Sequence, residues 1–347
     1  MTDDIPDNNY SYKGWLVFNG LFGAERKTDK DPEEVIRDLP QYTKPSPGKK
    51  MKGYRRTEFD DILSRAGDVT YDLHHLAENL TSFEYKRTTW NSNIVYQNGK
   101  KTTGKTPTHK GAEVFWHEEK DLLVFRGQKA WLNQNRKNLR GALSEKVRLT
   151  EINFDFDFFL WVLHKKFIGQ GLTTELSVRE INSAETTLDQ EQTTNTGNDL
   201  SISRSSNVLR STPFISSLLE GNKPRMIEGQ FVLGSDQIRA RLEHGGKIHI
   251  KVTDSKLGEL GDLRRMSVGL RFIFNLLHQY QLWESLPPTE KYPEPSFFYD
   301  LAENMEDEGY EVTGPLRRVP EEYERKRAGE MVDDGARAQE GSSQHTS

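Results

Sequence analysis

Cysteine is absent from the 347-residue sequence. Disulfide bonds, thiolate metal sites and cysteine nucleophiles are therefore excluded. Long apolar runs are also lacking, because charged residues interrupt the two most apolar stretches, 154–168 and 263–283, and make a membrane span costly. The first ten residues are acidic and polar, which is not the pattern of a secretory signal. We therefore expect a cytoplasmic protein with no membrane contact.

Several enzyme motifs are missing as well. The sequence has no Gly-x-Gly-x-x-Gly dinucleotide motif, no Gly-x-Ser-x-Gly nucleophile motif and no His-Glu-x-x-His zinc motif. Their absence disfavours a dinucleotide-dependent enzyme, a serine hydrolase and a zinc protease. We expect a protein that is not an enzyme, without excluding an unfamiliar one.

The sequence does contain what a folded core needs. Apolar residues make up only 34% of the chain, but 17 Phe, 12 Tyr and 6 Trp supply large side chains for burial. We expect three regions: an N-terminal α+β region with basic loops (1–150), a C-terminal α+β region (151–300), and a charged, acidic and largely disordered tail (301–347).

The strongest element predictions form a repeated pattern. A hairpin over 113–125 precedes a predicted helix at 128–143. A three-strand meander over 226–252 likewise precedes the helix 263–283, whose apolar residues have helical spacing. The fold class is therefore α+β, with an antiparallel hairpin or meander followed each time by a helix, as in two related units. We find no residue-level repeat.

Three further segments have local signals. Residues 154–168 are predicted to form a buried helix with Asp155 as its N-cap. Residues 183–199 contain few apolar side chains and are predicted to be a flexible loop. A short helix is expected to begin at Thr212 as N-cap, with Pro213 in its first turn.

Charge is unevenly distributed. Residues 44–110 contain 13 Lys/Arg against 7 Asp/Glu, whereas residues 299–347 contain 6 against 13. Such asymmetry is typical of an anion-binding region next to an acidic tail, although a solvated surface explains it too. The candidate nucleic-acid-binding residues lie in the basic segment 49–56, in a Gly/Thr-rich loop around 100–110 and on the predicted helix 128–143. They are Lys49, Lys50, Lys52, Tyr54, Arg55, Arg56, Lys100, Lys101, Lys105, Lys110, Lys129, Arg136, Lys137 and Arg140.

A second constellation suggests hydrolysis. Glu84 and Lys86 lie on one face of a predicted strand, and Asp72 lies twelve residues before Glu84. Two carboxylates that hold Mg²⁺ beside a lysine could form a nuclease site. The same Glu-x-Lys pattern fits an exposed ion pair equally, and it recurs at Glu118 and Lys120 in a predicted turn.

Three functional hypotheses follow. The first is a non-catalytic protein that binds DNA, RNA or another polyanion and acts with protein partners, which would bind at helix 263–283 or at the acidic tail. The second is a metal-dependent nuclease that uses Asp72, Glu84 and Lys86, with Mg²⁺ as its only cofactor. The third is an adaptor or structural protein that binds no nucleic acid. The first hypothesis is favoured.

Overall fold

The computed structural model describes eleven ranges, which are 14–43, 45–46, 48–57, 59, 71–97, 100–127, 137–187, 200–202, 207–252, 261–307 and 318–330. The strands are β1 (Leu16–Arg26), β2 (Met51–Arg56), β3 (Leu80–Gln97), β4 (Lys100–His117), β5 (Leu122–Arg126), β6 (Val147–Glu151), β7 (Leu176–Thr187), β8 (Leu200–Ile202), β9 (Lys223–Leu233), β10 (Asp236–Glu243) and β11 (Lys247–Val252). The helices are α1 (Pro32–Arg37), α2 (Tyr71–Glu78), α3 (Phe156–Phe167), α4 (Thr212–Leu219), α5 (Gly261–Glu284), α6 (Pro288–Lys291), α7 (Pro295–Asp307) and α8 (Arg318–Arg327). Residues 137–143 are also helical, and Val208–Arg210 form a 3₁₀ turn.

The α+β class is confirmed. The chain divides into two compact units, of which unit 1 comprises Met1–Phe154 and Phe231–His278, and unit 2 comprises Asp155–Gln230 and Gln279–Ser347. The division near residue 150 that the sequence suggests stays a prediction.

Unit 1 is built on an antiparallel sheet. Its strands have the order β2-β3-β4-β5-β1-β11-β10, and β6 pairs with β1. One face carries a core cluster with α1 and the helical segment 137–143, including Phe22, Val35, Tyr54, Phe83 and Leu139. Helix α5 packs on the other face, where Phe274 contacts His117 edge to face. Because successive side chains of a strand point to opposite faces of the sheet, the strands contribute apolar side chains to both packed layers.

Helix α5 has the predicted apolar stripe. Met266, Leu270, Ile273 and Leu277 are fully buried, and Leu263 and Tyr280 are nearly so. Helix α5 therefore belongs to the core. Its stripe cannot serve as a docking face for a protein partner, since the side chains that would make contact are already covered.

Unit 2 contains β7, β8 and most of β9 together with the helices α3, α4, α6, α7 and α8. The predicted helix 154–168 is confirmed: Asp155 is the N-cap, and its carboxylate accepts a hydrogen bond from the Asp157 N–H. Asp157, in the first turn, is buried and accepts hydrogen bonds from the Tyr323 hydroxyl and the Lys326 ammonium of α8.

Four local predictions are corrected. Residues 183–187 belong to β7, where they are mostly buried, while 188–199 lie outside the described residues. Residues 100–110 form part of β4 instead of a loop. Ser211, not Thr212, occupies the N-cap of α4. Residues 301–307 and 318–327 are helical although a disordered tail was predicted, because α7 and α8 bury apolar side chains such as Phe298 and Tyr323. The remaining residues of that tail are described only for 328–330.

Candidate nucleic-acid interface

A row of three cations crosses the sheet of unit 1. Lys52 of β2 is the register partner of Arg87 of β3, and Arg87 is in turn the partner of Lys110 of β4. Register partners lie on the same face, with Cβ atoms roughly 5 Å apart. All three side chains are exposed. We call Lys52, Arg87 and Lys110 the cation row.

Elsewhere in this sheet, charged side chains on neighbouring strands form ion pairs of opposite charge. Arg55 of β2 donates to Glu84 of β3, with 2.8 Å between guanidinium and carboxylate, and Arg126 of β5 pairs with Glu113 of β4. Opposite charges on neighbouring strands stabilise a sheet, whereas like charges directly opposite one another destabilise it. In the cation row, by contrast, the side chains on neighbouring strands carry charge of the same sign.

The sequence around the row contains no carboxylate. Residues 85–112 have neither Asp nor Glu, and this acid-free segment carries six cationic side chains, which are Lys86, Arg87, Lys100, Lys101, Lys105 and Lys110. In three dimensions the segment is most of one hairpin, since β3 and β4 pair without interruption from Leu80–His117 to Gln97–Lys100. The positive charge is therefore held on a single structural element.

The hairpin extends past its neighbours. Strand β2 pairs with β3 as far as Thr88, and β5 pairs with β4 only from Glu113 toward His117. Within the described part of the chain, residues 89–97 and 100–108 have only each other as strand partners. We call these two segments the ribbon.

The ribbon is polar on the face that continues the cation row. Asn91 donates from its amide to the Thr108 hydroxyl, and Asn93 donates to the Thr106 hydroxyl, each at 3.0 Å. These diagonal hydrogen bonds link β3 to β4 within the ribbon. On the other face, Ile94 is 59% exposed, and the Trp90 indole donates to the Lys49 carbonyl at 2.8 Å.

The other cationic residues predicted to bind nucleic acid differ from one another in exposure and in ion pairing. Lys49 and Lys50 are exposed just before β2, and Lys101 and Lys105 are exposed on β4. Arg56, by contrast, pairs with Glu33 at 2.9 Å, so that a local carboxylate balances its charge. The side chain of Lys100 lies outside the described side chains.

The Tyr54 side chain is buried, contrary to its predicted role as a nucleic-acid-binding residue. Its ring is 3% exposed and packs against Phe83 and Tyr85 in the core cluster. It cannot stack on a base. Burial, with a smaller contribution from Tyr85, raises the pKa of the Tyr54 hydroxyl far above its ordinary value.

The helical segment 137–143 lies over the same face as the cation row. The Asn138 amide donates to the Tyr85 hydroxyl at 3.4 Å, and Tyr85 precedes Arg87 by two residues on that face. Lys137 is exposed beside it, whereas Arg140 donates to the Leu149 carbonyl at 3.2 Å. Lys129 and Arg136 fall outside the described residues.

Glu84 and Lys86 lie together, but as an ion pair. The Lys86 ammonium is 2.6 Å from the Glu84 carboxylate, which Arg55 also contacts. A metal ion at Glu84 would have to displace two cations. The side chain of Asp72 is outside the described side chains, and among the residues that are described no three of His, Asp and Glu form a group able to hold a metal ion. The nuclease alternative gains no support from these contacts.

Two features of the hairpin were not singled out from the sequence. Arg87 completes the cation row, and strand alternation from Tyr85 could have revealed it. In addition, residues 99–106 read Gly-Lys-Lys-Thr-Thr-Gly-Lys-Thr, which matches the letters of a phosphate-binding loop. That motif needs a loop between a strand and a helix, where backbone N–H groups converge on phosphate. Here Gly104, Lys105 and Thr106 lie within β4 and pair with β3, so the match is not such a loop.

Comparison with known proteins gives no relative from which a function could be transferred, since no known protein family and no curated protein matches the chain. Within the described residues, no helix is both long enough and apolar enough to span a bilayer.

Proposed function

We propose that this protein binds nucleic acid, without catalysis, through the cation row and the ribbon. The observation that carries the proposal is the acid-free segment 85–112, whose cations one hairpin holds together. Phosphate backbones bind to clusters of Lys and Arg mainly by releasing condensed counterions. A surface with cations on three neighbouring strands suits such a ligand, because successive phosphates can be contacted at once.

The expected binding is strongly salt-dependent. Each phosphate contact contributes a slope of about −0.9 to a plot of log affinity against log salt for duplex DNA. Three contacts from the cation row would therefore weaken binding by roughly 40-fold between ~50 and ~200 mM salt. Lys101 and Lys105 lie on the opposite face of the hairpin, since their register partners are Tyr96 and Ser92, and any phosphate contact they make would steepen this dependence.

Fluorescence anisotropy with a labelled 20-base-pair DNA duplex tests the proposal. In the triple variant Lys52→Gln, Arg87→Gln, Lys110→Gln, the salt slope should become less negative by about 2.7. The matched control is Arg148→Gln, Arg179→Gln, Arg210→Gln, which removes the same charge from exposed positions elsewhere. The control should bind like the natural sequence.

Two results would refute the proposal. One is no binding to DNA or RNA, single-stranded or duplex, at ~50 mM salt. The other is an equal loss in the triple variant and its control, which would indicate that net charge alone, instead of this surface, governs binding. A protein partner at the acidic segment 299–347 stays a prediction that this experiment does not address.

A further inference from the structure

The ribbon has dimensions that can be compared with those of a nucleic-acid groove. Its nine-residue strand segment 89–97 spans about 27 Å at ~3.4 Å per residue, and its two strands lie about 5 Å apart. The major groove of B-form DNA is about 12 Å wide and 8.5 Å deep, and it admits a two-stranded β-ribbon with its side chains. The ribbon is long enough to reach the groove floor.

We infer that the ribbon enters the major groove of duplex DNA, while the cation row at its base contacts the phosphate backbone. This inference rests on the proposed function and specifies its ligand. The order of side chains along one face supports it: Lys52, Arg87 and Lys110 come first, followed outward by Thr89 and Thr108, then by Asn91 and Thr106. Cations thus stand at the rim, and hydrogen-bonding side chains stand where base edges would be.

The polar side chains of the ribbon suit base edges. Asn can bond to the N6 and N7 groups of adenine, and Thr can bond to several bases. Asn91 gives one amide N–H to Thr108, and a carboxamide has a second N–H and an acceptor oxygen. On the opposite face, the exposed Ile94 can contact the methyl group of thymine.

A single strand is a poorer fit. Proteins that bind single strands stack successive bases on aromatic rings. Among the ribbon side chains that the structure describes, Trp90 is the one aromatic residue, and its indole N–H is bonded to the Lys49 carbonyl while the ring is half-buried. The ribbon therefore lacks a described row of stacking platforms.

An RNA duplex is excluded from this mode by its shape. The major groove of A-form RNA is deep and too narrow for side chains to read. A ribbon two strands wide could only lie across the outside of such a duplex. It would then keep the contacts of the cation row and lose those of its outer residues.

The test compares three labelled probes of one sequence at the same salt concentration. These are a 20-base-pair DNA duplex, one strand of that duplex, and the corresponding RNA duplex. We expect the DNA duplex to bind at least about ten-fold more tightly than either of the others. Bound protein should also protect guanine N7, which lies in the major groove, from methylation.

A ribbon variant identifies the element responsible. Lys101→Glu, Lys105→Glu alters exposed ribbon positions and leaves the cation row intact, and Arg179→Glu, Arg210→Glu is its charge-matched control. The ribbon variant should lose most of the preference for DNA duplex and the N7 protection, while the control keeps both. Circular dichroism of each variant establishes that it is folded.

The outcomes separate this inference from the proposed function. If no probe binds, the proposed function fails, and the inference fails with it. If the protein binds but prefers the single strand or treats both duplexes alike, the function stands and the groove inference is overturned. A folded ribbon variant that keeps the full preference and the N7 protection also overturns it, since another element would then be reading the duplex.

Discussion

Replacing Asp157 by Asn should destabilise the protein more than any exposed charge substitution. The Asp157 carboxylate lies 2.9 Å from the Lys326 ammonium and accepts a further hydrogen bond from Tyr323. Both partners belong to α8, which follows Asp157 by more than 160 residues. This contact therefore fixes the C-terminal helix of unit 2 to α3.

The expected loss of unfolding free energy arises because Asp157→Asn leaves the buried Lys326 ammonium with less compensating negative charge. Removing one partner of a buried ion pair typically costs about 3–5 kcal/mol, because the remaining charge stays desolvated. Lys326 retains Glu322 at 3.1 Å, which places the expected cost near the lower value. We therefore expect Asp157→Asn to lower the free energy of unfolding by about 3 kcal/mol.

The same contact predicts a pH dependence. Burial alone would raise the pKa of Asp157, but Lys326, Lys223 and the Tyr323 hydroxyl outweigh it and hold the pKa below its ordinary value. A carboxyl whose pKa is depressed by folding stabilises the protein above its unfolded pKa of about 3.9, and that stabilisation is lost as pH falls through the folded pKa. The difference between natural protein and Asp157→Asn should hence narrow below about pH 4.

Equilibrium urea unfolding of the full chain measures this cost. Asp300→Asn, an exposed acid-to-amide change on α7, is the matched control and should shift the free energy of unfolding by less than about 0.5 kcal/mol. The double variant Asp157→Asn, Lys326→Met should lose less than the sum of the two single variants. An Asp157→Asn cost below about 1 kcal/mol, or additive losses in the double variant, would refute the assigned role of this pair.

Three further results are expected from the same unfolding measurement. Deleting residues 321–347 removes Tyr323 and Lys326 and should cost about 3 kcal/mol or more, whereas an unchanged midpoint would show that α8 contributes nothing. Ile273→Ala, in the buried stripe of α5, should cost about 2–5 kcal/mol, and a cost near zero would contradict its place in the core. Burial, aided by Lys120 and by the neighbouring His75 and His278, lowers the pKa of His117 to about 4, so stability should fall as pH drops from about 6.5 toward 4. In His117→Gln, the loss of stability between about pH 6.5 and 4 should be smaller by on the order of 2–3 kcal/mol. Identical pH profiles for this variant and the natural protein would contradict the role of His117.

Elements with a strong local signal were predictable from the sequence. Helix α3 has a capping Asp155 and a continuous apolar run, and α5 has a stripe at helical spacing. In both cases the residues that decide the structure lie within one or two turns of each other, so periodicity and capping suffice.

Elements that depend on distant partners were not predictable. Residues 100–110 contain Gly104 and Pro107, which disfavour a strand, and they are polar on both faces. They form a strand because β3 supplies a partner at every position. Helix α8 is similar: its composition is charged, and its buried Lys326 pairs not only with Glu322 on the same helix but also with Asp157, which is remote in sequence.

At the candidate interface, composition indicated which segments are basic but not how their side chains are arranged. The basic clusters were visible in the sequence, yet in the folded chain Arg55 and Arg56 are paired with carboxylates, while Arg87 joins Lys52 and Lys110. Strand register decides between these outcomes, and register depends on pairing between segments far apart in sequence. The informative sequence property is the absence of Asp and Glu from 85–112, because a cation in that segment can pair only with an acid outside it, as Lys86 does with Glu84. That absence, and not the number of lysines, is the sequence property on which the proposed polyanionic ligand rests.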